Sequence, residues 1–191
     1  MYAAFAATRS SDLSCISSDV VNTMDSTYTS VDFNKNSDPI ELRNAAEQLI
    51  ANIASIKDHL QKWCLSSGKI FTGKALLNKQ GAAAIIHDLW NVQKHGGLDR
   101  KPQSKFAPDL RNLAMAMRMT SGTQEGAGTF WQLDPLTGIT TSGATGGGKI
   151  DLVLTAEIID DAGEFRCQFR ETCEAAAEEW MVELKAVGVI S

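Results

Sequence analysis

Apolar residues recur at alternating steps of four and three between residues 42 and 63. This spacing is the a/d pattern of a long amphipathic helix that packs against at least one other helix. Asp38 and Pro39 supply the capping oxygen and first-turn proline of a helix start, and residues 66–68 end the pattern. The apolar stripe is Leu42, Ala46, Leu49, Ile53, Ile56, Leu60 and Trp63. Such a stripe serves either a core within the chain or a homodimer seam.

A second helix is predicted from about Asn78 or Gly81 to Lys94, ended by the glycines at 96–97. Its predicted buried face is Ala82, Ile85, Leu89 and Val92. At 100° per residue, a polar stripe then runs along the edge of that face. Its members are Asp88, Asn91 and His95.

The period changes to two between residues 110 and 119, which predicts a strand. Its buried side would carry Leu113, Met115, Met117 and Met119. A helix is the competing assignment, since Met and Ala both favour helices. Residues 129–133 predict another strand, followed by a glycine- and threonine-rich loop.

Residues 149–159 and 164–169 flank a short turn and predict a β-hairpin. A closing helix is predicted from Arg170 to about Val187, with Trp180 facing inward. The fold class is therefore α+β: two N-terminal helices form a helical bundle with the C-terminal helix, and a small antiparallel sheet of three to four strands is inserted before that last helix.

Residues 1–36 are rich in Ser, Thr, Asp and Asn and predict a flexible N-terminal arm, with one short strand at 29–33. Residues 37–191 are predicted to form a single α+β domain, because the length suits one well-filled core.

Hydrophobic residues make up 43% of the chain and charged residues 21%, as in an ordinary globular protein. The net charge of −5 argues against a nucleic-acid coat protein. Residues 94–118 nevertheless carry six Lys or Arg against two acids, which is compatible with phosphate binding on one face.

The four cysteines are scattered, which predicts reduced thiols rather than a zinc site or disulfide framework. No signal peptide and no run of 18 apolar residues stand out, so we expect a soluble, cytoplasmic protein without a membrane partner.

Two further patterns are weak. Residues 143–149 fit G-x-x-x-x-G-K, the pattern of a phosphate-binding loop. However, Ile150 follows where magnesium binding needs Ser or Thr, and strands rather than a helix are expected around the segment. A hairpin loop is therefore favoured.

Asp58 and His59 form a polar step in the first helix, which could meet Asp88 if the two helices are antiparallel.

Asp88, Asn91, Lys94 and His95 are the candidate catalytic residues, because an imidazole near a carboxylate suits acid–base chemistry and Lys94 could hold an anion. In the alternative interpretation Asp88 and Asn91 tie down loops, while Lys94 and His95 complement the helix dipole. Asp88 and His95 lie too far apart to share a metal, so neither a metal nor a cofactor is expected. The candidate phosphate-binding residues are Lys94, Arg100, Lys101 and Arg111.

Residues 88–95 read D-x-x-N-x-x-K-H, and at this motif the chain resembles small, uncharacterised bacterial and phage-associated proteins over about residues 38–188. The end of the motif also resembles HEPN domains, helical and often dimeric bundles that include metal-independent RNases. Their catalytic arginine precedes the histidine by a spacing that would place it at Asp88, Leu89 or Trp90 here.

The resemblance implies a homodimeric, HEPN-like, non-enzymatic interaction or accessory module, linked to bacterial or phage defence or to toxin–antitoxin systems. The alternative it implies is a divergent RNA- or nucleotide-directed nuclease that uses His95, with Lys94 or Arg100 as the cation.

Overall fold

The computed structural model describes residues 9–10, 17–22, 27–32, 38–98, 101–120, 122, 124–134 and 140–190. The helices are α1 (Pro39–Ala54), α2 (Ile56–Ser66), α3 (Gly73–Asn78), α4 (Ala82–His95) and α5 (Phe169–Val187). The strands are β1 (Arg9–Ser10), β2 (Ser17–Asn22), β3 (Thr27–Asp32), β4 (Asp109–Thr120), β5 (Gly128–Leu133), β6 (Thr140–Thr145), β7 (Lys149–Ile159) and β8 (Phe165–Gln168). Helices and a small antiparallel sheet before the last helix confirm the predicted α+β class.

The described residues form two compact units. Those within 40–113 and 155–190 form the first, and those within 9–39 and 114–154 form the second. The predicted division into an arm at 1–36 and one domain at 37–191 stays a prediction.

The long first helix of the prediction is divided at Ser55 into α1 and α2. The Ser55 hydroxyl donates to the Asn52 carbonyl at 3.0 Å, a local bond that competes with helical backbone bonding. Helical backbone bonds nevertheless continue across this position, from Ser55 N to Ala51 O at 2.9 Å and from His59 N to Ser55 O at 3.0 Å. α3 is a further short helix that the apolar spacing did not predict.

The apolar stripe of α1 and α2 lies in the core of the first unit. Leu49 and Ile53 are completely buried and Leu60 nearly so. α4 packs against α5 and α3 in the same unit. The largest other core side chains are Ile50, Leu77, Ile86, Leu89, Ile158, Phe169 and Trp180. Four of the seven stripe residues are buried in the chain's own core, while Leu42, Ile56 and Trp63 are half-buried, and the use of the stripe as a homodimer seam stays a prediction.

The buried face of α4 differs from the predicted one. Leu89 is buried as expected, but Ile86 is the fully buried isoleucine, whereas Ile85 is only half-buried. Ala83 and Ala84 are also buried, in place of the predicted Ala82 and Val92. Both α5 and the loop after α4 pack against this helix. The buried face is therefore shifted by about one residue from the predicted one.

β7 is the central strand of the sheet and lies next to β4. It also pairs antiparallel with β1 and with β8, which confirms the predicted hairpin. Residues 151–154 are buried in succession, as expected of a strand covered on both faces. β4 forms where predicted, but Leu110 is its buried residue, and Met119 of the predicted buried side is 41% exposed.

The second unit contains two hairpins, β2–β3 and β5–β6. The predicted short strand falls within β3, apart from Phe33, which lies outside the described residues. The predicted glycine- and threonine-rich loop instead contains β6. Phe130 pairs with Gly143 across this hairpin, and a Cβ on Gly143 would meet the Phe130 ring at 2.5 Å. The aromatic ring packs over Gly143, a residue with low strand propensity. This packing could not be predicted from the glycine itself.

Candidate anion-binding site

One face of α4 carries a set of polar and aromatic side chains beside α2. Successive positions i, i+3, i+4, i+7 and i+8 lie on the same side of a helix. These side chains line a cavity of about 360 Å³, the α2–α4 cavity. Its lining residues are Ala54, Lys57, Asp58, His87, Trp90, Asn91, Lys94, His95, Gly97 and Leu98.

The imidazole of His87 is the buried polar group of this cavity, with 5% of the residue exposed. Its Nδ1 lies 2.8 Å from Asn91 Nδ2, and its Nε2 lies 3.0 Å from Lys57 Nζ. The same Asn91 nitrogen donates to the His87 carbonyl oxygen at 2.8 Å. The ring is therefore held between its own helix and a lysine from α2.

Lys57 and Asp58 bring a cation and an anion to the α2 side of the cavity. Lys57 Nζ is 3.6 Å from Asp58 Oδ1, which is longer than a hydrogen bond. The Asp58 side chain is 65% exposed, whereas that of Lys57 is 24% exposed. Because water screens an ion pair of this kind, Asp58 holds the Lys57 side chain in place only weakly.

Lys94 and His95 are exposed in the last turn of α4. Gly96 ends the helix in the left-handed conformation, with a φ of 70°. The free carbonyls of a helix C-terminus carry partial negative charge, so the backbone here repels an anion. An anion in this cavity would therefore have to be held by side chains, and Lys94, His95 and Lys57 are the candidates.

Asp88 does not line the cavity. It is completely buried, and its Oδ2 accepts hydrogen bonds from the backbone nitrogen of Ser104 at 2.7 Å and from the Ser104 hydroxyl at 2.8 Å. Its Oδ1 has no hydrogen-bond partner within the described part of the chain. The carboxylate ties the loop after α4 to the helix.

Of the four candidate phosphate-binding residues, Lys94 lines the cavity. Lys101 is exposed and does not line it, and Arg100 lies outside the described residues. The Arg111 guanidinium donates to Glu157 Oε2 at 3.1 Å, on the sheet side of the unit. The described members of this set, Lys94, Lys101 and Arg111, therefore do not line one common cavity.

Asp58 and His59 point to different surfaces. Asp58 lines the α2–α4 cavity, while His59 lines a second, mainly apolar cavity with Trp63 and Leu184. The link to Asp88 does not form among the described residues, because Asp88 is completely buried and bonds Ser104, whereas Asp58 and His59 are exposed. The glycine-rich segment at 143–149 joins two strands, β6 and β7, as the hairpin interpretation expects.

His87, Lys57 and Trp90 were missed as site residues from the sequence. The signal for His87 was the i, i+4, i+8 series from His87 through Asn91 to His95, and Trp90 lies on the same side of the helix at i+3. The predicted stripe began one residue later, at Asp88. Lys57 carried no such signal, because its contact with His87 joins residues thirty positions apart.

Across the ranges that the structure describes, no three His, Cys, Asp or Glu side chains are grouped as a metal site would need. The described cysteines Cys64, Cys167 and Cys173 are free thiols, and burial raises the pKa of Cys173. Among the described helices, none combines the length and the apolar character that crossing a bilayer requires.

Comparison with known proteins finds no match to this chain among family models, curated proteins or solved structures. The resemblance to HEPN domains stays a prediction that rests on the motif at residues 88–95.

Proposed function

We propose that the protein is a non-enzymatic binding module that takes a small phosphate-bearing ligand with a flat ring, such as a nucleotide, into the α2–α4 cavity. The observation that supports this is the convergence of Lys94, His95 and Lys57 beside the indole of Trp90 in one cavity. Ammonium and imidazole groups bind phosphate oxygens, and an indole stacks on a base.

The size of the cavity favours a small ligand. Its volume of about 360 Å³ lies near the lower end of the range for small-molecule sites, roughly 300–1,000 Å³. Asp58 at the exposed side offers an acceptor for a hydroxyl group of the same ligand.

Titration calorimetry with adenosine 5′-monophosphate tests the proposal. We expect Lys94→Gln to weaken binding at least five-fold, because it removes a cation that lines the cavity, and we expect binding to weaken as salt is raised. Lys62→Gln is the matched control, since Lys62 is an exposed lysine of α2 outside the cavity. Equal affinities for the wild type and Lys94→Gln, or no binding at millimolar ligand, would contradict the proposal.

RNA cleavage is the second candidate function, and the presence of both His87 and His95 in one cavity favours it. Two imidazoles can act as base and acid in a metal-independent reaction. The HEPN-like interpretation and a role in defence or toxin–antitoxin systems belong to this proposal. Cleavage of single-stranded RNA in EDTA should be lost in His95→Ala, and equal cleavage by both proteins would refute it.

We also propose a homodimer. Four of the seven residues in the stripe from which it was predicted are buried in the chain, so we infer that association uses another surface. Leu65 and Ile70, which are 75% and 82% exposed, provide one. Light scattering at micromolar concentration should give twice the chain mass of 20.6 kDa, and the chain mass itself would refute the dimer.

A further inference from the structure

We propose that Asp88 Oδ1 binds a buried monovalent cation, sodium or potassium, beneath the loop that follows α4. The ion gives this carboxylate a positively charged partner that the described side chains do not supply. Because Asp88 does not line the α2–α4 cavity, the site is separate from it, and the inference is independent of the proposed function.

The two oxygens of the Asp88 carboxylate have unequal surroundings. Oδ2 accepts two hydrogen bonds from Ser104, whereas Oδ1 has no hydrogen-bond partner in the part of the chain that the structure describes. The residue is completely buried, so bulk water does not reach either oxygen. A charge withdrawn from water is costly, and buried charged groups in proteins are paired or coordinate an ion.

Hydrogen-bond acceptors outnumber donors around this carboxylate. The Ser104 hydroxyl lies 2.8 Å from Asp88 Oδ2 and 2.9 Å from the carbonyl oxygen of Phe106, but it has a single proton to donate. At any moment one of these two oxygens lacks that proton, in addition to Oδ1. The neighbouring residue, Gln103, also has a buried Oε1 without a hydrogen-bond partner among the described residues. A positively charged partner is what such an excess of oxygen atoms requires.

The chain itself does not neutralise Asp88. Among the described residues, no lysine, arginine or histidine forms an ion pair with it. The Arg166 guanidinium lies 5.7 Å from the centre of the Phe106 ring, but its Nε donates to Asp160 Oδ2 at 2.8 Å. Asp160 is therefore a buried carboxylate with a guanidinium partner, and Asp88 is one without. A cation from solution would neutralise Asp88, whereas a water molecule would not.

The charge and the ligand atoms of the site favour a monovalent ion. Calcium and magnesium usually require several charged ligands, and the described residues contain no group of three His, Cys, Asp or Glu side chains. Here one carboxylate stands beside the neutral oxygens of Ser104 and Phe106. One negative charge balances one monovalent cation, while a divalent ion would leave an excess positive charge buried. Carbonyl oxygens also replace the hydration shell of potassium in other proteins.

The backbone of the loop brings its carbonyl oxygen near the carboxylate. Lys105 has a φ of 78°, in the left-handed region that is uncommon for residues other than glycine. In this conformation the Phe106 carbonyl oxygen lies 2.9 Å from the hydroxyl of Ser104, the residue that also bonds Asp88. A cation shared by the loop and Asp88 would hold the loop against α4.

Thermal unfolding of the full chain in different chloride salts tests the inference. We expect Tm to rise by about 3 °C, in a saturable manner, when tetramethylammonium is replaced by potassium or sodium at constant ionic strength, since only the small ions fit a buried site. Asp88→Asn should abolish this difference, because its neutral amide needs no counter-ion. Asp160→Asn is the matched control, since it changes a buried carboxylate that has its own guanidinium partner, and it should keep the difference.

Anomalous diffraction from crystals of the wild type soaked in thallium(I), a substitute for potassium, is the second measurement and requires no variant to fold. We expect a thallium peak beside Asp88 Oδ1. Equal Tm values in the three salts would refute the cation, and so would the absence of a peak at this oxygen. A salt difference that persists in folded Asp88→Asn would place the ion elsewhere and refute this site. None of these results changes the expected dependence of nucleotide binding on Lys94.

Discussion

Asp88 holds the loop that follows α4, because two donors of Ser104 meet one of its carboxylate oxygens. A fully buried carboxylate is costly unless hydrogen bonds compensate for the lost water. Here the backbone nitrogen and the hydroxyl of one residue supply those bonds, and neither atom faces the α2–α4 cavity. This geometry supports the structural interpretation of Asp88 over a catalytic one.

Replacing Asp88 by alanine should lower the free energy of unfolding by about 2–3 kcal/mol, because a buried backbone N–H loses a charged acceptor. Asp88→Asn keeps an oxygen for Ser104 and should cost less. Urea unfolding measures both, with Asp58→Asn as an exposed control that should change stability by under about 0.5 kcal/mol. An Asp88→Ala variant as stable as the wild type would contradict this role.

The sequence predicted the position of α4 and the polar character of one edge, but not which polar residue turns inward. Asp88 is buried because Ser104 reaches it from a loop sixteen residues later. His87 is held by Lys57, from a helix thirty residues earlier. Helical periodicity reports neighbours within one helix, so partners that arrive from elsewhere in the chain could not be predicted from it.

At the scale of elements, the N-terminus of α4 is capped by a side chain from another helix. Its N-cap, Gly81, has no side chain to offer, and the carboxylate of Glu179 in α5 accepts hydrogen bonds from Ala82 N at 3.1 Å and Ala83 N at 2.9 Å. A Cβ on Gly81 would meet Glu179 Oε1 at 2.5 Å. The glycine therefore leaves room for a negative charge at the positive end of the helix dipole.

Glu179→Ala should lower the free energy of unfolding by about 1–2 kcal/mol, the usual loss for a helix cap. Glu178→Ala is the matched control, because Glu178 is an exposed neighbour on the same helix. Chemical denaturation of both variants measures the difference. If the two variants proved equally stable, the cap would contribute nothing.

The turn between β7 and β8 is built on Asp160. Its carboxylate accepts from the backbone nitrogens of Glu164 and Ala162, both at 2.9 Å, and from Arg166 Nε at 2.8 Å. The bond from Glu164 and then those from Arg166 and Ala162 hold the pKa of Asp160 below its usual 3.8, against the opposing effect of burial. A lowered pKa in the folded state stabilises the protein above about pH 4 and loses that effect as pH falls through the lowered value.

Asp160→Asn should therefore be less stable than the wild type at pH 7, with a difference that shrinks as the pH falls below 4. Urea midpoints at pH 7, 4 and 3 measure the trend. A gap between the two proteins that stayed constant over this range would show that ionisation of Asp160 does not contribute.

Elements with strong local patterns were predictable, and those that depend on partners were not. The β7–β8 hairpin and α5 follow from alternation, turn residues and amphipathic spacing. β6 was predicted as a loop because Ser142, Gly143 and Ala144 lack the β-branched or aromatic side chains of a typical strand. The Phe130 ring across the hairpin supplies the missing packing.

At the scale of the whole molecule, formation of the core and the proposed association into a homodimer would depend on different side chains. Leu49→Ala should lower the free energy of unfolding by about 2–5 kcal/mol, because it opens a cavity in the core, and should leave the mass in solution unchanged. Ile70→Glu should halve the mass of a homodimer and leave the fold of the chain intact. Denaturation and light scattering on both variants test this separation, and a changed mass in folded Leu49→Ala would overturn it.

The support that α5 gives to α4 also sets an order of events during synthesis. The residues of the α2–α4 cavity lie between positions 54 and 98, whereas Glu179 and the buried Trp180 are made much later. At ordinary translation rates, the ribosome adds them on the order of ten seconds after the cavity residues. During that interval the nascent chain carries Lys57 and His87 without the helix that caps α4. The α2–α4 cavity should therefore reach its final form only when synthesis has passed α5.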